Sequence, residues 1–231
     1  MISTRLVDPE VVEAARAWYA AGASSPFVVD DVLDADSAYD IGDLMKSLPG
    51  WRHHAAVSVS DHEIFEVEPS EWPSYEMRSA RHFKVDRVSS ALKDQGLDLN
   101  GRRSLVDLLQ GVLLGGQLQD FLGEVTSVPL SRTLGSIELA AYGKGDEILP
   151  HSDAGLNRAF AANFYLDRAM DESDGNWLWF KPARNEDAVG VAPMFNRLAI
   201  IETRPESEHW VDSRRRDERG RFTISVGVQH A

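Results

Sequence analysis

The chain of 231 residues is long enough for one large domain or two small ones, and its 43% hydrophobic and 26% charged residues are ordinary globular usage. The lack of cysteine excludes disulfide bonds, thiolate metal sites and cysteine nucleophiles. A net charge of −13 disfavours nucleic acid as a partner, because acidic surfaces repel phosphate. No segment is apolar over the ~18 residues of a membrane helix, and the amphipathic N-terminus is unlike a signal peptide. We therefore expect a soluble, cytoplasmic protein without membrane partners.

Apolar periodicity predicts three helices in the N-terminal half, with short strand-like segments between the second and the third. Asp8 is the expected N-cap of the first helix, with Pro9 in its first turn. Gly115 and Gly116 interrupt the third helix and predict a break there. The predicted helices cover 9–19, 34–48 and 104–125. Residues 27–29 are a predicted strand, and the pattern of 51–85 is strand-like but interrupted, with alternation at 55–59 and 64–67.

The C-terminal half reads as a run of short β-strands separated by turns rich in Gly, Pro, Asn and Asp. The predicted strands are 136–141, 161–166, 177–180, 198–201 and 222–228. Helices followed by closely spaced strands indicate an α+β fold whose mainly β core is a sandwich or barrel, with an N-terminal helical buttress. We expect a single domain over 1–231, with helices and accessory strands in 1–130 and the core in 131–231.

The C-terminal half also contains a candidate metal site. His151 and Asp153 are two residues apart, so a strand would present both side chains on one face. A second imidazole would complete a facial set of two histidines and one carboxylate, which leaves coordination positions of Fe(II) open. A single His-x-Asp pair arises easily by chance, and a surface loop is the competing interpretation. His209 follows a hydrophobic strand further along and can supply that imidazole.

A candidate anion site lies on the last predicted strand. Alternation there places Arg221, Thr223 and Ser225 on one face. A guanidinium beside a hydroxyl suits a carboxylate inside a barrel, because arginine can bind it bidentately. Arg219 competes for this role, and we favour Arg221 because Arg219 is expected at the mouth of the barrel.

Taken in order, the motifs of residues 136–229 resemble the Fe(II)- and 2-oxoglutarate-dependent dioxygenases, specifically the prolyl-4-hydroxylase-like branch. The matching elements are Tyr142 with Gly145-Asp146, His151-Ser-Asp153, Asn163-Phe-Tyr165-Leu166, Asp174-Gly175-Asn-Trp177, Val191-Ala-Pro193, Asn196-Arg-Leu198, His209-Trp-Val and Arg221. The chain departs from the family pattern at Asp174, where relatives have glycine, and at Asn163, where many have an apolar residue.

This resemblance implies a double-stranded β-helix, the jelly-roll or cupin-like fold, and a set of cofactors. Fe(II) would be held by His151, Asp153 and His209, and O2 would be a substrate. The cosubstrate 2-oxoglutarate would chelate the iron and pair its far carboxylate with Arg221, helped by Thr223 or Tyr165. The cosubstrate site would also include Tyr142 and Asn163.

The resemblance implies hydroxylation of an unactivated C–H bond of a small molecule, such as an amino acid or a natural-product intermediate, with release of succinate and CO2. Asp153 favours a hydroxylase over related halogenases, which lack this carboxylate, and Gly227 stands where nucleic-acid demethylases carry a second arginine. Trp177, Trp179 and Trp210 could shape an aromatic substrate pocket, although core packing explains them equally well.

Two alternatives stay open at this point. One is hydroxylation of a protein residue, as in several prolyl-hydroxylase relatives. The other is a non-oxidative, cupin-like metal-binding module, which would have no need for Arg221 or Tyr165. The sequence leaves the substrate, the oligomeric state and the choice between hydroxylation, desaturation and ring formation undetermined. A structural role is favoured over a substrate role for His53 and His54.

Overall fold

The computed structural model describes residues 4–60, 63–76, 78–86, 88–94, 96–183 and 186–231. Its α-helices are α1 (Pro9–Ala20), α2 (Ala35–Ser47), α3 (Val88–Ala91), α4 (Leu99–Asp107) and α5 (Gln117–Thr126). Its strands are β1 (Phe27–Val29), β2 (Trp51–Ser60), β3 (Glu63–Glu66), β4 (Arg78–Val85), β5 (Leu130–Tyr142), β6 (Glu147–His151), β7 (Arg158–Tyr165), β8 (Leu178–Lys181), β9 (Val189–Val191), β10 (Arg197–Glu202), β11 (Glu208–Val211) and β12 (Gly220–His230). In the described part of the chain, every helix is too short or too polar to span a bilayer.

Aspartate caps begin three of the helices. The Asp8 side chain accepts a hydrogen bond from the Glu10 backbone N–H at the start of α1, and Pro9 occupies the first turn. Asp34 and Asp98 cap α2 and α4 in the same way. The first two predicted helices are therefore confirmed almost to their ends.

The longest predicted helix is divided in the structure. It consists of α4, a π-helical turn over Leu108–Leu113, and α5, which begins after Gly116. Gly116 has a φ of 90°, a conformation that favours glycine. A Cβ at Gly115 would lie 2.4 Å from the Gly111 carbonyl oxygen. The expected break at the two glycines is confirmed, because the helix divides there, where Gly115 has no room for a Cβ and Gly116 has a positive φ.

The described strands form one antiparallel sheet that curls back on itself. Its order is β1-β10-β7-β12-β5-β4-β6-β11-β8-β9, and β2 pairs with β3 and β4 at the side. We call β1, β10, β7, β12 and β5 the major half, and β6, β11, β8 and β9 the minor half. A cavity between the halves is lined by residues of both. The fold is thus the double-stranded β-helix with a helical buttress that the sequence predicted.

The main hydrophobic core lies between the helices and the outer face of the major half. Ile41, Leu105 and Leu122 of the helices pack in one cluster with Phe222 and Ile224 of β12. All are almost fully buried, and burying a side chain of this size stabilises the fold by about 1.5–3 kcal/mol. This packing fixes β12 from behind, so that its other face is turned towards the cavity.

Candidate active site

The predicted metal ligands meet at the mouth of the cavity. His151 ends β6, Asp153 follows it, and His209 of β11 is paired directly opposite His151 in the antiparallel register. The two imidazole rings are 4.2 Å apart between centroids. One ligand atom from each of the three side chains lies within 4.8 Å of the others. Within the described residues, this is the single group of three or more such ligands.

The protonation of the histidines suits metal binding. The His151 Nδ1 atom lies 2.9 Å from the Leu149 carbonyl oxygen, which can only accept, so Nδ1 carries a proton and Nε2 is the atom turned to the metal position. Burial, with the neighbouring His151, lowers the pKa of His209 to about 3. Its imidazole is therefore neutral near pH 7, which is the form that ligates metals. Asp153 is buried and contacts the Arg158 guanidinium.

These donors fit the metal that the resemblance implies. Two imidazoles and one carboxylate on one side form the donor set of non-haem Fe(II) oxygenases. The carboxylate oxygens of Asp153 lie 3.7 Å from His151 Nε2 and 3.5 Å from His209 Nε2, so all three side chains point to a common position. The set leaves the cavity side open to further ligands.

Arg221 occupies the inner end of the same cavity because of a bulge at the start of β12. The register of β12 shifts between Gly220 and Thr223, and Arg221 has a φ of 50°. Its backbone N–H donates to the Asp167 carboxylate at 2.6 Å. The guanidinium carbon lies 4.4 Å from the Tyr142 ring centroid and 5.3 Å from that of Tyr165. Cation–π contacts at these distances hold a buried guanidinium in place.

Two neighbouring buried polar groups have no hydrogen bond of good geometry in the described structure, although the Tyr165 hydroxyl interacts with the Arg221 guanidinium, which lines the cavity. They are the Nε atom of Arg221 and the hydroxyl of Tyr165, both buried. Burial raises the pKa of Tyr165, against the charge of the Arg221 guanidinium, so its phenol stays protonated and can donate. Buried polar groups normally have partners. Two unpaired donors next to each other fit a carboxylate such as the far end of 2-oxoglutarate.

The cavity has a volume of about 260 Å³ and a polar floor. Glu138 of β5, Ser225 of β12 and Asn163 of β7 are paired across the three strands in register. The Ser225 hydroxyl donates to Asn163 Oδ1 at 2.7 Å. Asn163 therefore lies on this floor, and Tyr142 also lines the cavity. The apolar wall of the minor half consists of Ile148, Leu178 and Val211.

The Thr223 hydroxyl has a partner within its own strand. It donates to the Arg221 carbonyl oxygen at 2.8 Å, and Thr223, like Tyr165 opposite it on β7, is not among the residues that line the cavity. The register of β12 is regular from Thr223 to Gly227, so Thr223 and Ser225 share a strand face, as predicted. Of these two residues Ser225 lines the cavity, and a cosubstrate role for Thr223 stays a prediction.

A correction concerns the tryptophans. Trp177 and Trp179 alternate with Leu178 of the cavity wall and Phe180 of the core, so they are turned away from the cavity. Trp177, Trp179 and Trp210 stack in a half-buried row with successive ring centroids 6.0 and 6.2 Å apart. Trp210 alone of the three borders the cavity. The packing interpretation therefore holds for Trp177 and Trp179.

The remaining candidates have other contacts. Arg219 lies over the rings of Trp51 and Phe83, at 5.3 and 5.6 Å. Unlike Arg221, Arg219 is not part of the cavity lining. His53 lies 2.9 Å from the buried Asp146 carboxylate, which supports a structural role for this histidine.

Sequence reasoning missed two charged residues of the cavity, Glu138 and Arg158. A signal for Glu138 was present, because it shares a strand face with Tyr142 at a period of two. Arg158 gave no such signal, since its guanidinium reaches the site by packing over Gly227 of another strand. A Cβ at Gly227 would lie 2.6 Å from Arg158 Nε.

Comparisons with known structures support the fold. A prolyl hydroxylase from Trichoplax adhaerens, in complex with a hypoxia inducible factor peptide fragment, matches with a TM-score of 0.63 and 11% identity over 98% of this chain and 96% of that one. A Pseudomonas putida prolyl-4-hydroxylase gives 0.60 and 14% over 96% and 100%. The epimerase SnoN from nogalamycin biosynthesis gives 0.62 and 14% over 97% and 84%. At these identities the likeness shows the fold alone.

Comparisons of sequence are more specific. A search of curated proteins finds no significant match. Residues 137–226, however, match the family described as the 2OG-Fe(II) oxygenase superfamily. The matched segment runs from β5 to β12 and includes His151, Asp153, His209 and Arg221. This match over residues 137–226 agrees with the prolyl-4-hydroxylase-like motifs, and the protein is an Fe(II)-dependent dioxygenase that uses 2-oxoglutarate and O2.

Proposed function

We propose that this dioxygenase hydroxylates an unactivated C–H bond of a small molecule, an amino acid or a natural-product intermediate, and releases succinate and CO2. The observation that carries the proposal is that the histidine–aspartate group and Arg221 line one cavity. At about 260 Å³, this cavity is smaller than the ~300–1,000 Å³ of sites for drug-sized ligands. A cosubstrate and a small substrate would fill it.

Three side chains would hold the metal: His151 and His209 through their Nε2 atoms, and Asp153 through its carboxylate. Bound there with 2-oxoglutarate, Fe(II) supplies the reductive activation of O2 that C–H hydroxylation requires. The Leu149 carbonyl orients His151 by accepting its Nδ1 proton. Arg158 orients Asp153 from the other side.

The cosubstrate would lie between the metal ligands and Arg221. The Arg221 guanidinium would bind its far carboxylate, and the Tyr165 hydroxyl would donate to the same group. Tyr142 holds the guanidinium from one side. The Asn163 amide, fixed by Ser225, would contact the cosubstrate from the floor. The apolar wall of Ile148, Leu178 and Val211 would keep water from the reacting groups.

The cavity and the structural comparisons also bear on the two alternatives, a protein hydroxylase and a non-oxidative metal-binding module. Hydroxylation of a protein residue is supported by the likeness to the prolyl hydroxylase that was solved with a peptide. The small cavity and the likeness to SnoN, an enzyme of biosynthesis, favour a small molecule. A non-oxidative metal-binding module would leave the buried Arg221–Tyr165 pair without a ligand, which disfavours it.

An anaerobic titration tests the cofactor site. Fe(II) and then 2-oxoglutarate are added to the metal-free protein, and the visible charge-transfer band of the chelate is recorded. We expect the band in the wild type and its loss in His151→Ala and Asp153→Ala, each of which removes a metal ligand. Succinate formation in a substrate screen follows. Iron binding without a band would support the non-oxidative module, and full activity in both variants would place the site elsewhere.

A further inference from the structure

We propose that the substrate is a small zwitterion, an α-amino acid, whose ammonium group binds Glu138 and whose carboxylate binds Arg158. This inference rests on the proposed function and names the substrate class of that site. It is carried by two opposite charges that line the cavity: Glu138, which is not a metal ligand, and Arg158, which contacts the metal ligand Asp153 through only one of its terminal nitrogens.

Glu138 presents a carboxylate to the cavity from the middle of the sheet. Its Oε1 atom lies 3.0 Å from His82 Nε2, and this contact fixes the side chain. Its side chain keeps 42% exposure although β5 lies between two other strands, so the exposed part faces the cavity. Among the described residues its hydrogen bond is to His82, which leaves Oε2 for a ligand.

The charge of Glu138 is maintained in this position. Burial by itself would raise the pKa of the carboxyl, but the hydrogen bond and charge of His82, with Lys84 and His54, lower it overall. Glu138 is therefore ionised near pH 7. An ionised carboxylate with one oxygen open to a small cavity is well suited to an ammonium group.

Arg158 supplies the opposite charge. Its Nη1 atom contacts Asp153, whereas the partner of its Nη2 atom among the described residues is the neutral hydroxyl of Ser136, at 3.2 Å. The guanidinium lies over Gly227, the one residue type that leaves it room. Nη2 can therefore bind an anion while Nη1 orients the metal ligand.

The charges in the cavity balance when metal and cosubstrate are counted. Fe(II), the 2-oxoglutarate dianion, Asp153 and Arg221 together carry no net charge, although Asp153 also contacts Arg158. Glu138 and Arg158 remain, one negative and one positive. Burying an unpaired charge is costly, so a substrate with one group of each sign is the complement that this cavity favours.

The placement of the two charges suits a compact zwitterion. Ser136, which contacts Arg158, and Glu138 are two residues apart on β5, so their side chains lie on the same strand face, about 6.6–6.8 Å apart along the strand. A ligand that meets both charges therefore carries its ammonium and carboxylate close together, as an α-amino acid does.

An anaerobic binding experiment tests the inference without turnover. The protein is loaded with Fe(II) and 2-oxoglutarate, and the charge-transfer band confirms loading. Proteinogenic α-amino acids are then titrated calorimetrically, together with the N-acetyl and C-terminal amide derivatives of each. We expect at least one free amino acid to bind and both of its derivatives to bind roughly tenfold or more weakly.

Variants of Glu138 and Arg158 test the two charged contacts separately. Glu138→Gln should weaken binding of the free amino acid roughly tenfold or more but leave the N-acetyl derivative unchanged, because that derivative has no ammonium group. Arg158→Gln should do the same for the amide derivative. Glu147→Gln, the same change on neighbouring β6 and outside the cavity lining, is the matched control and should bind like the wild type.

The outcomes separate this inference from the proposed function. If the band forms but no free amino acid binds, or if the blocked derivatives bind equally well, the proposed zwitterionic substrate is wrong. The band would still show that the protein binds Fe(II) and 2-oxoglutarate. Unchanged amino acid affinity in Glu138→Gln would also overturn the inference. If the band does not form at all, the proposed function itself fails and the inference falls with it.

Discussion

Arg221 owes its place in the cavity to a backbone conformation that a distant residue holds. The Asp167 carboxylate accepts the Arg221 N–H and also the Ala169 N–H, at 2.6 and 3.0 Å. A positive φ is unfavourable for arginine, and this buried hydrogen bond offsets part of that cost. The anion site therefore depends on the loop after β7 as well as on β12.

The first prediction concerns the cosubstrate. Replacing Arg221 with alanine removes the guanidinium that pairs with the far carboxylate, so we expect the 2-oxoglutarate concentration needed for half-saturation to rise by roughly tenfold or more. The measurement is the charge-transfer band as a function of 2-oxoglutarate. Arg219→Ala, which removes a cation packed on Trp51 and Phe83, is the control and should leave this requirement near the wild-type value. The opposite pattern would assign the role to Arg219.

A second residue-scale prediction follows from the bulge. Asp167→Asn keeps the size of the side chain but replaces the carboxylate that accepts two backbone N–H groups. We expect a loss of about 1–3 kcal/mol in the free energy of unfolding, measured by denaturant titration, and weaker 2-oxoglutarate binding. Thr223→Val, which removes only a hydroxyl bonded to the Arg221 carbonyl, should affect 2-oxoglutarate binding far less. Equal effects would mean that Thr223 does take part in cosubstrate binding.

The same residues show how far the sequence could predict the site. The His151–Asp153 pair and Arg221 follow from local spacing together with ordered motifs, and the structure brings them into one cavity. The hydrogen bond of Thr223 to the Arg221 carbonyl could not be predicted, because it depends on the positive φ of Arg221, whose backbone N–H is held by Asp167 on another segment. Arg158 was equally hidden, since it acts across strands through the space above Gly227.

At the scale of elements, the tryptophan row belongs to packing between β8 and β11. Trp179 pairs with Trp210 across the two strands, and both are half-buried. Trp179→Ala should therefore lower the free energy of unfolding by about 1–2 kcal/mol, less than a fully buried tryptophan, and leave substrate-dependent succinate formation unchanged. Leu178→Ala on the same strand changes the cavity wall and should reduce activity. Reduced activity in Trp179→Ala with unchanged stability would restore its substrate role.

The pairing of β2 with β4 brings His54 opposite His82 and predicts a pH effect. Burial, with the charges of Lys84 and His82, lowers the pKa of His54 to about 4 from its usual 6.5. Between these values the unfolded chain binds a proton that the folded chain does not, so stability falls as the pH falls from 6.5 to 4.

This effect is measured by unfolding at a series of pH values. His54→Asn removes the titrating group, so its stability should decline less steeply in that window, by at most about 1.4 kcal/mol per pH unit. The difference between the two proteins should vanish above pH 6.5, apart from a constant offset. Parallel curves throughout the window would show that His54 does not carry this linkage.

Helix and strand positions were predictable because their signals are local. The caps Asp8 and Asp34 and the glycines at 115 and 116 act within a few residues of their own position. The π-helical turn of Leu108–Leu113 was not predicted, since the apolar stripe continues through it without interruption. The pairing of β4 was likewise not local, because its partners β5 and β6 follow much later in the chain.

For the whole molecule, strand pairing links the N-terminal and C-terminal halves of the sequence. Strand β4 comes from the first half, yet it pairs with both β5 and β6 and so links the major and minor halves of the sheet. The core likewise mixes Ile41 and Leu122 of the helices with Ile224 of β12. Neither half can complete its core without the other.

We therefore predict that 1–231 unfolds as a single domain. Thermal unfolding followed by far-ultraviolet circular dichroism, which is dominated by the backbone, and by tryptophan fluorescence should give coincident transitions. Leu122→Ala, a cavity-forming change in the helical layer, should shift both curves together by about 2–5 kcal/mol of unfolding free energy, because the helices and β12 share one core. Two separated transitions, or a shift confined to one signal, would mean that the helical half and the β core are independent units.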